Sequence, residues 1–168
     1  MKKLLSIALA AVMLFAAAGC GQESEPQLTA EERAKLYSDA ITAARGEEEN
    51  EAFPVLTDAE DPSAPLIMEL VGLTGEDADA FALSVSPMNV NAYGIAVVMP
   101  AEGKADAVLA GLQGFVELQQ RNFEMYLPDQ KVIADAAKVE TLSDGTVVMV
   151  MCENADAVFE SIQKAVEG

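Results

Sequence analysis

The chain has no histidine and no tryptophan in 168 residues. Losing histidine removes the commonest general base and the commonest transition-metal ligand. Ser-His-Asp and Cys-His catalysis in their usual forms are excluded with it. Cysteine is confined to Cys20 and Cys152. Aromatic residues make up only 5% of the chain, so aliphatic side chains and 8 methionines must fill the interior. Basic residues are scarce, 10 against 28 acids. Lys2 and Lys3 precede residue 20 and every acid follows it. The chain beyond residue 20 therefore holds eight bases and carries a net charge of −20. A field of that sign repels phosphate backbones and anionic headgroups, so nucleic acid is not expected as a partner. A well-solvated surface accounts for the charge, and a cationic partner is the sharper reading.

Chemical signatures are missing as well. There is no phosphate loop, no Gly-x-Ser-x-Gly elbow and no paired cysteine for zinc. The acidic run Glu47, Glu48, Glu49 and Glu51 lacks the alternating spacing and central glycine of a calcium loop, and reads as a solvated loop. Neighbouring carboxylates such as Asp77 and Asp79 follow from composition alone. No catalytic residue, cofactor or metal is expected, and the chain does not read as an enzyme.

What is present begins with a leader. Met1-Lys2-Lys3 is a positive n-region, and Leu4 to Ala18 is an apolar run of 15 residues. That is short for a membrane span and normal for a signal peptide. It ends in Ala17-Ala18-Gly19-Cys20. Small residues before a cysteine at this place resemble a bacterial lipobox, with Ala17 where the pattern prefers leucine. The resemblance implies a signal peptide over 1–19, acylation of Cys20 and attachment to the extracytoplasmic face of the cell membrane. Residues 20–28 then hold the anchored cysteine and a polar tether whose eight residues after Cys20 reach at most about 28 Å. Acylation leaves Cys152 as the free thiol, a small hydrophobe at the end of an apolar run.

Residues 29–168 read as a single α+β domain. Thr29-Ala30-Glu31-Glu32 is a capping box that starts a helix. Pro65 starts a short one. Phe81, Leu83 and Val85 alternate with small or polar residues, as in a half-buried strand. Tyr93 to Met99 is continuously apolar, suited to a central strand. A long helix follows, then a break at Pro128. Residues 96–117 set against 146–167 give 10 identities in 22 gapless positions. A hairpin-helix unit thus recurs, over about 81–126 and 137–167. Two copies related by a pseudo-twofold axis fit a four-stranded antiparallel sheet with helices packed on one face, plus N-terminal helices. Asn154 is placed to cap the last helix.

The string Ser86-Pro87-Met88-Asn89-Val90-Asn91-Ala92-Tyr93, with Tyr126-Leu127-Pro128-Asp129-Gln130, resembles a family of bacterial lipoproteins, domain of unknown function 4358. The resemblance covers about 64–166 and implies the surface location, with no activity attached. Asn89, Asn91, Tyr93, Tyr126, Asp129 and Gln130 form a candidate binding surface. Turn chemistry is the more usual cause for residues such as Asn89 and Asn91, strand packing for Tyr93, and helix-break chemistry for Asp129.

The reading is therefore an anchored binding or accessory module that contacts another envelope protein, its Cys20 lipid in the bilayer. The alternative is a lipoprotein that captures a small solute. One domain is small for that role beside two-lobed capture proteins. A carboxylate-based hydrolase stands third, since no acidic pair is marked as desolvated.

Overall fold

The computed structural model describes residues 28–88 and 90–168. The leader, Cys20 and Asn89 lie outside the described residues. Thr29 accepts from the Glu32 backbone while Glu32 Oε2 accepts from the Thr29 backbone at 2.9 Å, so the capping box is formed. It opens α1 (Ala30–Ala44). The acidic run forms a short helix, α2 (Glu47–Ala52), where a loop is expected from sequence. Three glutamates in its first turn favour it through the helix dipole. Pro65 lies in the first turn of α3 (Ala64–Leu70). Then come β1 (Ala78–Val85), β2 (Gly94–Pro100), α4 (Ala105–Phe123) and α5 (Pro128–Asp135). The chain closes with β3 (Lys138–Thr141), β4 (Val147–Met151) and α6 (Ala155–Glu167).

The sheet is antiparallel throughout, in the order β1-β2-β4-β3. Leu56 pairs with Leu83 through backbone bonds of 2.7 and 2.8 Å, which covers part of the open β1 edge. Helices lie on both faces, which corrects the one-face arrangement. One core joins Leu83, Val98, Val147 and Met149 to α3, α4 and α5. The other joins Ile95, Val97, Val148 and Val150 to α1 and α6. The physical reason is in the strands: β4 is buried at all five positions, and both of its apolar faces need cover.

The same fact bears on the repeat. Val97 and Val147 match at the offset of 50 yet point to opposite faces. A twofold axis normal to the sheet reproduces the strand order but keeps the two following helices on one side. Here α4 and α6 lie on opposite sides, so no twofold relates the halves. The likeness is local. Val98 and Val148 each face the helix that follows their own strand.

Two contacts tie the loops. A Cβ on Gly111 would lie 2.6 Å from the Gly72 carbonyl oxygen, so α4 meets the turn after α3 backbone to backbone. Gly72 itself has φ +76, a glycine conformation. Asp77 Oδ2 accepts from the Thr74 hydroxyl at 2.6 Å and its backbone N–H at 2.8 Å. Asp77 Oδ1 accepts from Lys104 Nζ at 2.9 Å.

The Thr74 hydroxyl, then Lys104, hold the Asp77 carboxyl down at about 2. A depressed carboxylate stabilises the fold in full above the ordinary carboxylate range and loses that contribution as pH falls through it. Asp77→Asn is expected to be less stable than the parent chain at pH 7. The gap should narrow as pH falls from about 4 towards about 2. Urea melts at pH 7 and at pH 2.5 measure both gaps. A gap of equal size at both pH values would mean that the Asp77 charge contributes nothing.

Candidate functional site

Three chain segments distant in sequence meet at one end of the sheet. β2 begins there, β4 ends there, and α1 delivers Arg45 there. Arg45 organises this end. Its Nε donates to Asn50 Oδ1 at 2.6 Å and its Nη2 to the Phe53 carbonyl at 2.7 Å. Its Nη1 donates to Ser84 Oγ at 2.7 Å and to the Tyr93 hydroxyl. All four acceptors are neutral. Tyr93 stacks on Phe53 with ring centroids 3.9 Å apart and planes 12° from parallel. Burial raises the Tyr93 hydroxyl above its ordinary value, against the opposing pull of Ser84 and Arg45.

A cleft of about 440 Å³ opens beside this stack. Phe53 and the α2 residues Glu48 and Glu49 form one wall. Asn91, Ala92 and Tyr93, from the β1–β2 connection, form another. Gln130 and Ile133 enter from α5, and Glu153 and Asn154 from the β4–α6 link. Glu48, Glu49 and Glu153 have no basic nitrogen within 4.0 Å among the described residues. Cys152 lies behind this wall, buried, its thiol pushed up to about 12 by burial first and by the Glu49 charge next. A thiol held that high is inert at neutral pH.

The structure brings three of the sequence candidates together, Asn91, Tyr93 and Gln130. Their parts differ. Tyr93 is buried wall, and Gln130 Oε1 accepts from the Ala92 backbone at 2.7 Å, which fixes the loop to α5. Asn91 is exposed in the cleft. Tyr126 is 79% exposed and does not line the cleft, and neither does the exposed Asp129 in the first turn of α5. Asn89 and Cys20 lie outside the described residues. Arg45, Phe53, the α2 glutamates, Ile133 and Glu153 are not in the sequence candidate set. Arg45 carries a sequence signal as the helix stop before Gly46, but its partners become visible only in three dimensions. Asn154 stands at the N-cap of α6 in the left-handed conformation, φ 59, and makes no side-chain cap bond there. This corrects its expected capping role.

Among the described residues no three His, Cys, Asp or Glu side chains are gathered to hold a metal ion. No helix among them is long and apolar enough to cross a membrane.

Fold and cleft define an α+β domain in which an antiparallel sheet lies between two helix layers and opens a polar cleft at one end. The chain belongs to the family described as Domain of unknown function (DUF4358), which it matches over residues 56–152. The match takes in the sheet and the α3–α5 layer, while α1, α2 and α6 lie outside it. No curated protein and no solved structure matches the chain.

Proposed function

We propose that this chain is a lipid-anchored, extracytoplasmic binding or accessory module that contacts another envelope protein. One observation carries the reading: the chain enters the domain at one end and the cleft opens at the other. Residue 28 leads into the start of α1. There Arg33 pairs with Asp144 at 3.4 Å, and the Tyr37 hydroxyl shares a 2.7 Å bond with Thr146. Both partners belong to the β3–β4 hairpin. The other end of α1, a helix of 15 residues or about 22 Å, reaches the cleft through Arg45. A short tether from Cys20 to this entry would hold the domain near the bilayer with its cleft turned outward. The apolar leader that ends at Cys20 supports the anchor, and the absence of a catalytic signature in the sequence supports binding over turnover.

The anchor is tested by growing cells with an alkyne-tagged fatty acid. The full chain should take the label and sediment with membranes, and Cys20→Ala should do neither. A label that persists in Cys20→Ala, or a parent chain that takes none, would refute the anchor.

A further inference from the structure

The cleft shares wall residues with two further depressions. Phe53, in its wall, also lines a depression of about 340 Å³, together with Met88. Ile133, Glu153 and Asn154 also line one of about 500 Å³, together with Val132. Three depressions with shared walls thus cross the end of the sheet. Each of the two adjoining depressions is lined by a large apolar side chain open to solvent, Met88 at 61% and Val132 at 69% exposed. The cleft between them carries Glu48, Glu49 and Glu153, none of which has a basic nitrogen within 4.0 Å among the described residues. Arg45 stands behind the Tyr93 wall, turned onto neutral oxygens, and Lys131 is held by Asp135.

Resting on the binding-module reading above, we propose that this groove takes an extended segment of a partner protein. That segment carries a lysine or arginine at its centre and an apolar side chain on each side. The central base meets the carboxylates that line the cleft, where charge-assisted hydrogen bonds are strong. The flanking side chains cover Met88 and Val132, and such exposed apolar ends are what peptide-binding grooves offer. Charge complementarity selects this occupant. A second copy of the chain brings the same acidic charge, and an anionic membrane surface is repelled by it. The groove also lies away from the entry of the tether, so an anchored domain leaves it open.

The test places a photo-crosslinking amino acid at Met88 or at Val132 of the full, anchored chain. A third position, Lys35 in α1, with its side chain 75% exposed, probes a surface outside the groove. Crosslinks are made in cells and the joined segments are sequenced by mass spectrometry. Met88 and Val132 should join one and the same partner segment, with a lysine or arginine between apolar residues. Reversing a cleft charge outside α2 by Glu153→Lys should lower the yield about tenfold or more with the melting temperature unchanged. If that variant melts early, Glu153→Gln alone carries the comparison, with a loss of about threefold. A joined segment without a basic residue, or a yield indifferent to the groove charge, overturns the proposal. Crosslinks from Lys35 alone overturn it too, yet leave the binding-module reading standing. No protein crosslink from any position overturns both.

Discussion

A chain ending at Glu153 is expected to show no cooperative unfolding transition. The truncation removes α6 and with it Val158, Phe159 and Ile162 from the second core. Those three side chains alone contribute about 1.5–3 kcal/mol each, or roughly 5–9 kcal/mol together. The whole stability of such a domain is about 5–15 kcal/mol. The loss does not stop at α6. Ile95, Val97, Val148 and Val150 lose their cover on that face, and α1 keeps only part of its packing through Tyr37 and Ile41. Thermal and urea melts followed by circular dichroism measure this. A single cooperative transition in the truncated chain would show that α6 is dispensable. That result would be notable because α1 and α6 lie outside the residues matched to the family.

Arg45→Met is expected to lower stability by about 2–4 kcal/mol, a drop of roughly 5–15 °C in melting temperature. Methionine keeps much of the stem volume and removes the guanidinium. The acceptors on Asn50, Ser84, Tyr93 and the Phe53 carbonyl then lose a charged donor at once. Ser84 Oγ still donates to the Phe53 carbonyl at 2.8 Å, which limits the damage to the strand. The stack of Phe53 on Tyr93 loses the group that holds both, so the groove wall loosens along with the fold. Arg45→Lys should recover less than half of the loss, because a lysine cannot reproduce the planar fork that serves four acceptors. Urea melts of the three proteins decide the matter. A methionine variant within about 0.5 kcal/mol of the parent would remove Arg45 from the account.

Much of the fold is legible in the residues. The Thr29–Glu32 box forms as written, and Pro65 and Pro128 open the short helices. The unbroken apolar runs of β2 and β4 mark the sheet, whereas β1, expected to be half-buried from its alternation, is buried at its last six positions because helices cover both faces. Those runs also carry the clue to the second helix layer, since a strand buried at every position is covered on both faces. The offset of 50 points the other way, toward one face. It describes a strand-helix junction, which is local chemistry, and local chemistry does not decide which side of the sheet a helix takes. The acidic run shows the limit of composition. Glu47, Glu48 and Glu49 are helix-forming in a first turn, whatever their solvation.

The groove was only partly legible, for a physical reason. Asn91, Tyr93 and Gln130 stand in the strings that mark the family. The opposite wall comes from Glu48 to Phe53 and from Glu153, which carry no motif. They reach Tyr93 because β2 pairs with β4, so that Gly94 faces Met151, and because Arg45 ties the end of α1 to both β1 and Tyr93. Long-range strand pairing makes the site, and no short window of sequence contains it.

Under the proposed function, the domain is anchored through Cys20 and has a protein partner at the membrane. The most direct test is in-cell chemical crosslinking of the tagged full chain, read by mass spectrometry beside Cys20→Ala. The account predicts one stoichiometric membrane partner that disappears in the Cys20→Ala control. No partner above background in either protein would contradict it.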